Sequence, residues 1–306
     1  MRVLIVGCGY VGRALGAALV RQGHSVFGLR RSALANDALR RVGIQPVPAD
    51  ITRPETLTAL PRNFDWVVNC AAAGSGSVAD YRRVYLAGTR NLLAWLASMP
   101  PRKFVYTSST GVYGQNDGSR VTEASPTAPQ TETGRVLVET ERELLAAAHQ
   151  HDFPAVILRV AGIYGPGRGF HLRALLRGAA RMEGEGRRWV NLIHRDDVVG
   201  AILAALKRGQ PGTVYNVCDD EPARQREVYA WLAQQLHLPL PPTVPEDPEA
   251  SRQRGATHKR VANQRLRTEL GYTLKYPTFR DGYAAELARL ASSDASETGL
   301  ENTRDA

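Results

Sequence analysis

The sequence predicts an α/β fold built on a doubly wound parallel sheet of about seven strands, with a small C-terminal lobe. Three observations predict it. Short apolar runs alternate with helical patterns through the first two-thirds of the 306 residues. Several of those runs are continuous and β-branched, as strands covered on both faces are. A glycine-rich turn directly follows the first run. Strand–helix alternation of this kind builds parallel βαβ units.

The strands are read at 3–6 (VLIV), 25–29, 44–48, 66–70, 103–108, 155–160 and 213–217. Between them, helical periodicity runs over 11–22, 78–99 and 134–150. The second of these carries Leu86, Leu92, Leu93 and Leu96 on one broad side, and the third carries Val136, Leu137, Leu144 and Leu145. After residue 165 the alternation breaks. Residues 165–195 are rich in Gly and Arg, 224–237 reads as a helix, and a Pro-rich stretch follows at 239–250. The chain therefore divides into a first domain (1–165, with 196–217 returning to it), which the glycine turn at 7–12 marks as dinucleotide-binding, and a second lobe (166–195 and 218–290) left for the substrate. The polar stretch 291–306 reads as a disordered tail.

Bulk properties exclude several classes. The net charge is +9, mostly from arginine. Arginine-rich coding accounts for this, or else an anionic ligand does. No basic run is interleaved with aromatics, and no helix-turn-helix, zinc or RNA-binding signature is present, so a nucleic-acid partner is not expected. Cys8, Cys70 and Cys218 are too widely spaced for a disulfide framework or a metal site, which suits a reducing cytoplasm. Gly7, Gly9 and Gly12 interrupt the first apolar run, so it is not read as a signal peptide. No stretch approaches eighteen apolar residues, and no membrane span is expected.

The glycine turn is the strongest chemical signal. GCGYVG (7–12) is a Gly-x-Gly-x-x-Gly placed directly after a strand and opening a helix. Gly7 allows the tight turn, Gly9 lets backbone approach a pyrophosphate, and Gly12 lets the helix pack close; Tyr10 and Val11 belong to the same turn. The helix N-terminus offers unpaired N–H groups and partial positive charge to phosphates. The sheet is thus of the Rossmann type. Strand two ends in Arg30, Arg31 and Ser32, where an NAD-preferring site carries Asp or Glu. Guanidinium groups there can grip a 2′-phosphate, so NADP(H) is expected over NAD(H).

These residues together resemble the extended short-chain dehydrogenase/reductase superfamily of the NAD-dependent epimerase/dehydratase type, from residue 1 to about 285. Asp50 and Ile51 are similar to the family's adenine-contacting pair after strand three. Ala71, Ala72 and Ala73 match its small-residue loop under the cofactor. YTSSTGVYG (106–114) resembles the strand-five motif, with Thr107 and the active hydroxyl at Ser109. Val160 falls in LRVAGIYGPGR (158–168), which matches the segment touching nicotinamide and substrate. His194 falls in NLIHRDDVVGAI (191–202), which matches the segment opening a late helix. The resemblance also implies a homodimer through helices 78–99 and 134–150.

The departures matter as much. By frame, Thr131 and Arg135 stand where the family has its Tyr-x-x-x-Lys pair, Tyr85 stands at a frequent Asn, and Gly162 at a frequent substrate-holding Asn. The combination is similar to an atypical subgroup related to dTDP-4-dehydrorhamnose reductases. A Thr hydroxyl titrates too high for acid–base work, and Arg does not exchange protons near neutrality. Arg135 is expected to keep the ribose contact, and Tyr113 or water to supply the proton. Tyr85, Gly162, Arg168, His171 and His194 are read as the substrate side, with Arg168, His171 and Arg187 as the charges that could meet an anionic small molecule. Two functions remain open: an oxidoreductase or epimerase acting on a small polar carbonyl or sugar-nucleotide-like substrate, or a protein that binds the dinucleotide without turnover.

Overall fold

In a computed structural model, the structure describes residues 1–32, 36–247, 249 and 258–301. Seven strands form one sheet: β1 (Arg2–Val6), β2 (Ser25–Arg30), β3 (Gln45–Pro48), β4 (Trp66–Asn69), β5 (Lys103–Ser109), β6 (Ala155–Val160) and β7 (Thr213–Val217). Their order is β7-β6-β5-β4-β1-β2-β3, and every pairing is parallel. The order reverses beside β1, which opens a crevice at the C-terminal ends of β1 and β4.

The long helices are α1 (Tyr10–Arg21), α2 (Val78–Tyr81, Arg82–Ala87 and Gly88–Leu96 in one run), α3 (Glu132–His151), α4 (Arg195–Arg208), α5 (Gln225–Gln235) and α6 (Phe279–Glu301). Side chains on a strand alternate between faces, and the core is split accordingly. Val3, Ile5, Val105, Val156 and Leu158 pack with α1 and α4. Leu4, Val6, Phe104, Tyr106 and Ile157 pack with α2 and α3. A third apolar cluster, including Tyr164, Leu172, Met182, Tyr229 and Tyr283, forms the smaller lobe.

Two local features depart from the sequence expectation. The middle of α2, Arg82–Ala87, is wound as a π-helix, a form often found at functional sites. Helix α6 continues through Glu301, across the stretch read as a disordered tail; the Ala-, Glu- and Leu-rich run from 284 carries helix propensity past the polar onset. Residues 302–306 lie outside the described residues. Among the described residues, no helix is long and apolar enough to cross a membrane.

Candidate active site

The crevice is a cleft of about 550 Å³. At one end lies the glycine turn. Gly7 has φ +77°, and a Cβ there would stand 2.5 Å from the Ala71 backbone, so the turn fits only glycine. A Cβ on Gly12 would stand 2.7 Å from the Gly7 carbonyl oxygen. A Cβ on Gly9 would instead meet only that oxygen, at 3.9 Å, leaving the space above it open to the cleft. Gly9 caps α1 without any side-chain hydrogen bond, so the first N–H groups of the helix face the cleft unpaired. This cradle fits a dinucleotide pyrophosphate.

Gly7, Gly9, Tyr10, Val11, Arg30, Arg31, Ser32, Asp50, Ile51, Ala71, Ala72, Thr107 and Val160 all line this cleft. Gly12 and Ala73 do not; Gly12 is spent on helix packing against Ile5. Asn69 Oδ1 accepts the Ala71 N–H (3.1 Å), which fixes the loop after β4. The Tyr10 ring lies beside the Arg168 and Arg195 guanidinium groups (5.2 and 5.3 Å), and burial pushes its phenol up to about 12. The Tyr10 hydroxyl is buried with no hydrogen-bond partner. Arg168, read as a substrate residue, also lines this cleft.

Ser109 ends β5. Its Oγ accepts the Gly111 N–H at 3.0 Å, leaving its own O–H to donate. It lines both the cleft and a second cavity of about 330 Å³ toward the smaller lobe. Tyr85, turned in by the π-helical segment, lines the cleft, and burial raises its pKa so that the phenol stays protonated. Gly162 and His171 line the second cavity.

The structure corrects the reading of Tyr113, Thr131, Arg135 and His194. Tyr113 is 0% exposed; its hydroxyl donates to Asn216 Oδ1 (2.8 Å) and accepts from Arg159 (2.8 Å), so it is held in the core beneath the cleft. Arg159 also makes a paired contact to Glu141 (2.7 and 3.1 Å), which accepts from Ser108 at 2.5 Å. Thr131 is the N-cap of α3, its Oγ1 accepting the Gly134 N–H at 3.1 Å. Arg135 is half exposed, pairs with Glu132 and lies away from the cleft. The α3 residue that lines the cleft is Leu137, two positions on. Counting by frame placed the helix out of phase; the buried Glu141, not Glu139, marks its inward face. Helix α3 therefore presents no cation to the cleft. His194 is fully buried. Its Nδ1 accepts the Asp196 N–H (3.2 Å), so Nε2 carries the hydrogen and donates to Glu286 (3.2 Å). That bond ties α4 to α6.

Sequence reasoning missed Leu137, Arg188 and Lys259. Arg187, which it did single out, is exposed and paired with Glu185, whereas Arg188 lines the second cavity.

Residues 3–218 match the NAD dependent epimerase/dehydratase family. The chain belongs to that family. It is 32% identical to protein YeeZ of Escherichia coli K12 over 285 residues, covering 90% of this chain and 96% of YeeZ. It is 30% identical to a dTDP-6-deoxy-L-talose 4-dehydrogenase (NAD(P)(+)) of Kitasatospora kifunensis, over 82% of this chain and 84% of that one. Its fold superposes on DesIV of Streptomyces venezuelae, a dTDP-glucose 4,6-dehydratase solved with NAD bound, with a TM-score of 0.81 at 23% identity; the match covers 93% of this chain and 95% of that chain. UDP-glucuronic acid 4-epimerase of Bacillus cereus is likewise solved with NAD. These neighbours overturn the expectation of NADP(H). The physical reason lies in the cleft: a guanidinium can also donate to neutral ribose hydroxyls, so Arg30 and Arg31 do not by themselves require a 2′-phosphate, and the Asp50 carboxylate lines the same cleft.

Proposed function

We propose that this protein is an NAD(H)-using oxidoreductase or epimerase that acts at a carbonyl, or the matching alcohol, of a small polar or sugar-nucleotide-like substrate. The observation that carries this reading is the position of Ser109. It stands where the glycine-cradled cleft meets the second cavity and lines both. A bound nicotinamide supplies or accepts the hydride. The unpaired N–H groups of α1, with Arg168 beside Tyr10, hold the phosphates. Ser109 donates to the substrate oxygen and orients it. Tyr85, kept protonated by burial, is the second hydroxyl on the cleft wall. The talose dehydrogenase relative supports a sugar-nucleotide-like substrate.

A second reading is dinucleotide binding without turnover. It is favoured by Leu137 on the face where α3 meets the cleft. A screen of carbonyl compounds and sugar nucleotides, followed by NADH consumption, separates the two. Turnover that falls at least tenfold in Ser109→Ala supports catalysis through this site. NADH binding with no turnover across the screen supports the second reading.

A further inference from the structure

The cavity beside Ser109 is lined by cations and not by anions. Arg188 and Lys259 line it, and no carboxylate does among the described residues. The Arg188 Nε is buried without a hydrogen-bond partner, and no ion pair to Arg188 is present among the described residues. His171, 7% exposed, also has a buried Nδ1 without a partner. Arg188 as a whole is half-buried, and a partly shielded guanidinium with no counter-ion marks a place where a ligand can supply the missing charge.

We propose that this cavity is a carboxylate site: Arg188 takes the carboxylate of a small planar acid and holds its reacting end against Ser109. The claim rests on the reading of Ser109 given above.

Three observations favour a small acid over a whole nucleotide. At about 30 Å³ per water-sized group, 330 Å³ holds roughly a dozen non-hydrogen groups. The walls include Tyr164, Tyr283, Phe170 and Trp189, which suit a flat unsaturated frame. Of the two cations, Arg188 is the one whose guanidinium is left to meet a ligand. Lys259 Nζ already donates to the Tyr113 carbonyl (3.0 Å), and burial holds its pKa near 8. His171 is neutral, because burial, and then Arg188, lower it to about 4. One guanidinium matches one carboxylate, with the orphan His171 nitrogen available for a hydrogen bond.

The test is binding of cinnamate, its methyl ester and UDP to the protein with and without NADH, by calorimetry and saturation-transfer NMR. Cinnamate is expected to bind, and the ester at least tenfold more weakly. Arg188→Met should weaken cinnamate by tenfold or more and leave NADH affinity unchanged, while Arg188→Lys should retain part of the binding. The ester comparison needs no variant, so it holds even if Arg188→Met fails to fold. The proposal is overturned if cinnamate does not bind, if the ester binds as tightly, or if UDP binds through Arg188 and cinnamate does not. Cinnamate binding in a protein that does not bind NADH would instead sink the dinucleotide reading and leave the carboxylate site standing.

Discussion

Replacing Glu141 by Gln tests the network that fixes the floor of the cleft. Glu141 and Arg159 have side chains only 3% and 6% exposed, and their carboxylate and guanidinium meet at 2.7 Å. The same guanidinium holds Tyr113, and the same carboxylate holds Ser108, next to Ser109. Removing the negative charge strands a buried cation, which costs about 3–5 kcal/mol. At about 2.1 cal/mol/K of unfolding entropy per residue, 306 residues give roughly 0.64 kcal/mol/K, so Tm should fall by about 5–8 °C. Differential scanning calorimetry at neutral pH measures it. The double variant Glu141→Leu with Arg159→Met should recover much of the loss, because a neutral apolar pair leaves no charge unpaired. A fall in Tm under about 1 °C in Glu141→Gln would refute the argument that this pair is a coupled buried unit.

Thr131→Ala should cost about 1 kcal/mol through loss of the α3 cap and leave turnover unchanged, as denaturation midpoints and an activity assay would show. Gly7→Ala should abolish NADH binding or folding, since its Cβ would collide with Ala71; normal NADH affinity in a folded variant would refute the turn geometry. Lys259 gives a pH signature. Burial lowers its ammonium from the usual 10.5 to about 8, so between those values the unfolded chain binds more protons and stability rises with pH. Relative to Lys259→Met, the wild type should gain roughly 3 kcal/mol from pH 8 to 10.5; parallel stability curves for the two proteins would contradict this.

Much of the fold was legible because its strands are short β-branched runs and its helices have clear apolar faces. The glycine turn was legible because each glycine answers a separate steric need, and two of those collisions are visible at Gly7 and Gly12. The phase of α3 was not. Glu139 and Glu141 lie two residues apart, and the partners Arg159 and Ser108, on neighbouring strands of the sheet, distinguish the inward one. The cofactor preference was misread because charge at 30 and 31 reports an anion-friendly end of the cleft without saying which oxygens it meets. Of the second cavity, Ser109, Gly162 and His171 were legible, whereas Arg188 and Lys259 were not, since they reach it from separate segments that carry no motif.

The most direct test of the account is a fluorescence titration with NADH of the wild type and of Gly9→Val, which puts a side chain into the open space above the turn. The wild type should bind NADH saturably, and the variant at least tenfold more weakly. No wild-type binding at millimolar NADH, or equal binding by both proteins, would contradict it.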